Sequence, residues 1–191
     1  MNKLIELVEK WSIERKLNVA DPNMQRLKLW EEFGELNAAI ARDNHDLIQD
    51  SIGDMLVVMI ILCQQLRYTS VNRLFEFDIE NYDFLRKLDT SALIDYTAYE
   101  ILHLRTVIQS TNDIVNRLSV IAERYDFTLE DCLQSAYDEI KDRRGKMVNG
   151  VFVKESDLNI EWKKATDNED DWCTLQTSGE ELEEYELNGV I

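Results

Sequence analysis

The stretch Asp50-Ser51-Ile52-Gly53-Asp54-Met55-Leu56-Val57-Val58-Met59-Ile60-Ile61-Leu62-Cys63 opens acidic and closes on nine consecutive apolar residues. Apolar character on every side over that length reads as a central, buried helix. Asp50 and Asp54 stand one turn apart, and the stripe of Asp54 continues through Val58 and Ile61, so it runs into a core and not into water. A carboxylate placed there is costly unless it is paired or bound to metal. Upstream, Glu31-Glu32-Phe33-Gly34-Glu35 repeats the theme. The three glutamates fall within about 100° of one helix face. Carboxylates about 5–6 Å apart on a helix repel, by roughly 3 kcal/mol per pair at an effective dielectric near 20. Two acidic helices, one of them entering a core, predict a metal-dependent site.

Composition narrows the class. One proline and six glycines in 191 residues favour long, uninterrupted helices, and 45% hydrophobic residues supply a core. The formal charge of −17 argues against duplex nucleic acid or an anionic membrane as a partner, because phosphate contacts need Lys and Arg. The nine-residue apolar run is too short to span a bilayer. Cys63, Cys132 and Cys173 show no CxxC spacing and read as reduced thiols. His45 and His103 are isolated, with no zinc-site pattern. No signal-peptide pattern opens the chain, so the expected location is the cytoplasm.

Along the chain, Leu4, Ile5, Leu7, Val8, Trp11 and Ile13 give a first amphipathic helix over 3–16. Asp21-Pro22 starts a second, reaching about Arg42, with Leu29, Phe33, Leu36 and Ile40 on its core face. The third spans about 46–67. Residues 68–90 give no clear assignment. Ser91 caps a helix through Arg105 or beyond, Asn112-Asp113 breaks or kinks it before a helix over 114–125, and Thr128-Leu129-Glu130-Asp131 forms a capping box that opens a helix to Arg144. Gly145 ends it. Asn149-Gly150 suits a two-residue hairpin turn. After Lys164 come nine acids and no base, the mark of a mobile tail. The expected organisation is an all-α domain over 1–164, with 68–127 as a helical insertion, and an acidic tail over 165–191.

Three blocks carry a family likeness. Gln25-Arg26-Leu27-Lys28-Leu29-Trp30-Glu31-Glu32-Phe33-Gly34-Glu35-Leu36 resembles the QxxKLxEExGEL signature of MazG-like nucleotide pyrophosphohydrolases, the all-α NTP pyrophosphatase superfamily. Asp50 to Leu56 resembles the second acidic helix of that family, and Asp138-Glu139-Ile140-Lys141-Asp142-Arg143-Arg144 its later basic helix. Gly145 to Lys154 resembles the ending of phage-encoded members.

The resemblance implies a MazG-like helical bundle and cleavage of nucleoside triphosphates between the α and β phosphates. It implies Mg²⁺, with Mn²⁺ as the other candidate, held by Glu31, Glu32, Glu35, Asp50, Asp54 and Asp138, an oxygen-only set suited to a hard ion. Glu32 and Glu35 are the catalytic candidates. Lys141 and Arg144 would hold phosphates, with Lys28 on the face of the glutamates and Trp30 as a base-stacking side chain. Ser51 departs from the pattern, since the family carries an acid there; Asp50 is the substitute one turn before Asp54. The wholly apolar third helix is more than a few helices of one small chain easily cover. Helices of at least two subunits, in a homodimer or homotetramer, are therefore expected to complete the bundle. The competing reading is a weakly active or inactive member that binds a partner through its acidic tail.

Overall fold

The computed structural model describes residues 1–68, 71–75, 79–104, 109–148 and 151–155. Helices α1 (Asn2–Glu14), α2 (Pro22–Ala41) and α3 (His45–Gln65) come first, with a 3₁₀ turn at Leu17–Val19 between α1 and α2. A second 3₁₀ turn, Val71–Phe75, leads to α4 (Ile79–Leu85), α5 (Thr90–His103), α6 (Gln109–Arg124) and α7 (Leu129–Ile140). Strands β1 (Gly145–Val148) and β2 (Val151–Lys154) pair antiparallel, Gly145 opposite Lys154 and Val148 opposite Val151. The Asn149-Gly150 turn expected between them, and the acidic tail, lie outside the described residues.

The helix starts follow local chemistry. Asp21 accepts from the Asn23 amide at 2.9 Å with Pro22 at the first helical position, and Asn44 accepts from the Leu47 amide at 3.2 Å. Thr128 and Asp131 form the full capping box: the Thr128 hydroxyl accepts from the Asp131 amide at 3.1 Å, and the Asp131 carboxylate from the Thr128 amide at 2.9 Å. Hydrogen bonds from Thr128, side chain first, hold the Asp131 carboxyl below its usual range.

Three boundaries differ from the sequence reading. Asp89, not Ser91, caps α5, accepting from the Ala92 amide at 2.7 Å. Asn112 and Asp113 lie inside α6 without breaking it; the Asn116 carboxamide donates to the Asn112 side-chain oxygen at 3.0 Å, one turn away, which occupies a group that would otherwise compete for the backbone. Finally, α7 stops at Ile140, short of Arg144. The Trp11 indole donates to the Ile140 carbonyl at 2.8 Å, and the Arg15 guanidinium to the Arg143 carbonyl at 2.9 Å and the Lys141 carbonyl at 3.4 Å. Trp11 of α1 and Arg15 just after it thus take the carbonyl that ends α7 and two carbonyls of the turn that follows, which holds the chain in that turn.

At the centre sits α3, where Met55 to Cys63 are all buried. Helices α1, α2, α6 and α7 of the same chain pack around it. The expectation that one chain could not cover this helix is therefore corrected: its apolar surface is enclosed without a second copy. The inner face of α2 is Leu29, Phe33, Leu36 and Ala39, with Ile40 half-buried beside it, and α1 contributes Leu4, Ile5, Val8 and Trp11. Ile13 is exposed. The stretch 68–127 holds the second 3₁₀ turn and α4 to α6; α5 packs on α6, and α6 reaches α3.

One contact fixes how α7 meets α3. Gly53 has no side chain because there is no room for one: a Cβ there would lie 2.3 Å from the Cys132 carbonyl oxygen and 2.9 Å from the Ala136 Cβ. Among the described residues no helix is long and apolar enough to cross a membrane.

Candidate metal and phosphate site

A cleft of about 620 Å³ opens where α2, α3 and the end of α7 converge, with α1 closing one side. Three stripes meet in it. From α2 come Gln25, Lys28, Glu31, Glu32 and Glu35, spaced by three and four residues so that they share a face. From α3 come Asp50, Asp54, Val57, Val58 and Ile61, the same stripe on which the sequence places its acids. From the end of α7 and the turn after it come Glu139, Ile140 and Arg143. Trp11, Leu17, Ala20, Asp21 and Met24 finish the wall, so the cleft has a carboxylate pole and an apolar pole.

Glu32 is the most enclosed of the acids, at 3% exposure. The Lys28 ammonium donates to its Oε1 at 2.7 Å and reaches Glu31 Oε2 at 3.0 Å. Glu32 Oε2 is buried with no hydrogen-bond partner. Burial pushes the Glu32 carboxyl above its usual range, and the Lys28 contact opposes that without cancelling it. Lys28 is held above the usual lysine value: burial opposes its charge, while the hydrogen bond and charge of Glu32, then of Glu31, outweigh burial.

Asp54 is raised furthest, to about 7, by burial first and then by the charges of Glu32, Asp50 and Glu139, against the pull of Arg143. Asp50 is raised for the same kinds of reason: burial, then Glu139 and Glu35, again opposed by Arg143. Carboxyls pressed together in a half-dry cleft hold protons more tightly than they do in water, and a nearby cation opposes that. As the side chains stand, no three His, Cys, Asp or Glu residues among those described are drawn together at ligating distance. The donor chemistry nevertheless fits a hard divalent ion: the donors are all carboxylate oxygens, one of them buried and unpartnered.

Ser51 is buried and turned from the cleft, its hydroxyl donating to the Leu47 carbonyl one turn back at 2.7 Å. Asp50 is the α3 acid that joins Asp54 in the cleft wall.

The later basic block is placed differently from the sequence reading. Asp138 is exposed outside the cleft, bound to Lys141 at 2.7 Å and to Gln134 at 2.9 Å, and the Lys141 contact, then that of Gln134, holds its carboxyl below the usual range. Lys141 shares that exposed pair, and both Lys141 and Arg144 lie exposed outside the cleft lining. Their neighbours Glu139 and Arg143, ion-paired to each other, line the cleft instead. Helix phase gives the reason. The buried face of α7 is Leu129, Cys132, Leu133, Ala136 and Ile140; Asp138 falls about 180° from its centre and Glu139 about 80°. Reading that apolar stripe before the charges would have picked Glu139.

Trp30 is outside the cleft as well, on the outer face of α2 and T-shaped to Phe33, ring centroids 6.0 Å apart. Among the described residues, the tryptophan in the cleft wall is Trp11, covered on its ring by the Arg15 guanidinium at 4.7 Å. Cys63 and Cys132 are free and buried, their thiols pushed up to about 12, chiefly by burial. Cys173 lies outside the described residues.

The family model of the MazG nucleotide pyrophosphohydrolase domain matches residues 21–88, the segment that carries Lys28, the three glutamates, Asp50 and Asp54. An uncharacterized 18.2 kDa protein from the rep-hol intergenic region of Haemophilus phage HP1 is 31% identical over 162 residues, covering 71% of this chain and 97% of the phage protein. The chain belongs to the MazG family. It is a phage-type member, on the evidence of that relative. MazG domains generally hydrolyse nucleotide phosphoanhydrides. In this member the matched segment supplies the α2 and α3 walls of the cleft, whereas Glu139, Arg143 and Trp11 lie beyond the match. No solved structure matches the chain.

Proposed function

We propose that this MazG-family protein is a Mg²⁺-dependent nucleoside triphosphate pyrophosphohydrolase, converting an NTP or dNTP to the monophosphate and pyrophosphate. The observation that carries the reading is the meeting of Glu31, Glu32, Glu35, Asp50, Asp54 and Glu139 with two cations, Lys28 and Arg143, in one cleft. Those carboxylates would hold Mg²⁺ or Mn²⁺, which when bound neutralises phosphate charge and acidifies the attacking water. Asp138, exposed and committed to Lys141, drops out of that set.

In the reaction the water oxygen bonds to the α-phosphorus. The bond from that phosphorus to the α,β-bridging oxygen breaks, and pyrophosphate leaves with the electron pair. Glu35 lines the cleft and makes no ion pair with a described residue, so it is free to take the proton from water. Arg143 and Lys28 hold the phosphate oxygens, one by its planar fork and the other as a point charge. The apolar pole, with Trp11, Leu17, Met24, Val58 and Ile61, receives the sugar and base.

A homodimer or homotetramer in the cytoplasm of the host cell belongs to the same proposal. Turnover measured over all common NTPs and dNTPs, with and without Mg²⁺, tests the activity. Pyrophosphate release from at least one nucleotide, dependent on the metal, is expected; release from none would reject it.

A further inference from the structure

Lys28 occupies the place in the cleft where positive charge is most wanted. Its ammonium bridges Glu32 Oε1 at 2.7 Å and Glu31 Oε2 at 3.0 Å, joining two of the carboxylates that would hold the metal. Its side chain is 46% exposed, so it enters the site from the solvent edge and has room to leave. Glu32 is anchored at 3% exposure and keeps Oε2 buried and unpartnered. One oxygen of Glu32 is therefore taken by an internal cation while the other stays uncommitted. A charge so deeply placed needs a cation at all times, and a flexible lysine can be that cation when no metal is present.

We propose that Lys28 is the resident counter-ion of the metal-free site: a divalent ion displaces its ammonium from Glu31 and Glu32, and the released ammonium turns to the anionic phosphates of the incoming ligand. This rests on the proposed function and adds to it a coupling between metal and phosphate. Lys28 works against metal alone, because its charge competes for the same oxygens, and works for the phosphate once the metal is in place. The enzyme therefore loads metal poorly by itself and well together with a polyphosphate. Arg143 is held less closely to this role, since its partner Glu139 is 53% exposed and can stay charged in water without a counter-ion.

The test measures Mn²⁺ binding by full-length protein at pH 8, by calorimetry or electron paramagnetic resonance, for the native chain, Lys28→Met and Lys28→Arg, with helicity checked by circular dichroism. Lys28→Met keeps the length of the side chain and removes its charge. It is expected to bind Mn²⁺ about tenfold more tightly than the native protein, the scale of one charge removed a few ångström away in a partly solvated site. Lys28→Arg should stay near native. Inorganic pyrophosphate, titrated at saturating Mn²⁺, should bind Lys28→Met at least about tenfold more weakly, as a lost charge-assisted contact does. Equal or weaker Mn²⁺ binding by Lys28→Met would overturn the proposal, because Lys28 would then be organising the carboxylates and not competing for them. Unchanged pyrophosphate binding would overturn the transfer to phosphate. Failure of the native protein to bind Mn²⁺ at all would instead remove the metal-dependent reading on which the inference stands.

Discussion

Gly53 of α3 lies against the backbone of Cys132 in α7, so close that a Cβ on residue 53 would stand 2.3 Å from the Cys132 carbonyl oxygen. The glycine between the two acids of α3 is thus a packing device. It lets α7 lie flush on α3, and α7 in turn carries Glu139 and leads to Arg143 at the carboxylate pole. Gly53→Ala should destabilise the protein by about 2–3 kcal/mol, within the range for overpacking a tight contact. It should also lower activity in the fraction that stays folded. Chemical denaturation and turnover on the same sample check both; a neutral Gly53→Ala would mean the two helices are not locked together here.

Gly34 is the contrasting case. Nothing lies within 4 Å of a Cβ placed on it, and it sits in the middle of α2 on the exposed side. Gly34→Ala should stabilise the chain by up to about 1 kcal/mol, through helix propensity and the smaller entropy of the unfolded chain. That amounts to roughly 2–4 °C in melting temperature for a protein of this size. A fall in melting temperature would show that this face is packed against something in solution.

Asp54 gives a pH dependence with a definite sign. Its folded pKa of about 7 lies above the ordinary aspartate value, so the folded state holds the proton more tightly than the unfolded chain does. The stabilisation is complete below the ordinary value and is lost as pH rises through 7. In metal-free buffer the melting temperature should therefore decline between pH 5 and pH 8, and Asp54→Asn should flatten that decline. Saturating Mg²⁺ should reverse it, since a ligand bound only by the folded state stabilises by mass action. Parallel pH profiles for Asp54→Asn and the native protein would contradict the assignment.

The departure at Ser51 is predicted to resist repair. Its side chain is buried away from the cleft and bonded to the Leu47 carbonyl. Ser51→Glu should cost about 2–4 kcal/mol by burying an unpaired charge, with no gain in turnover. A faster and equally stable Ser51→Glu would show that the site lacks an acid which Asp50 does not supply.

Much of this was legible in the sequence because it is local. Asp21-Pro22, Thr128 with Asp131, and the apolar run from Met55 to Cys63 each announce an element through neighbours a few residues away. Asp54 was legible for a similar reason, since its stripe leads directly into Val58 and Ile61. What could not be read depends on partners far along the chain. The end of α7 is set by Trp11 and Arg15, about 130 residues upstream, whose side chains take the carbonyls of Ile140, Lys141 and Arg143. Without that end, charge type alone points to Asp138, Lys141 and Arg144, whereas helix phase points to Glu139 and the structure adds Arg143. Trp30 was a candidate because it adjoins the glutamates in sequence, yet two residues along a helix is about 200° around it. Trp11 had no local signal beyond an amphipathic helix.

Hydrolysis in this cleft between the α and β phosphates would leave a monophosphate and pyrophosphate as the only two products. Phosphorus NMR of the products, with Mg²⁺ and a nucleotide that turns over, tests it most directly when the native protein is compared with Asp54→Asn and Asp138→Ala. Monophosphate and pyrophosphate are expected in equal amounts from the native protein and from Asp138→Ala, with a rate reduced by at least about a hundredfold in Asp54→Asn, the scale of losing a group that acts in the transition state. Orthophosphate and a diphosphate as products, or a native rate in Asp54→Asn, would contradict it.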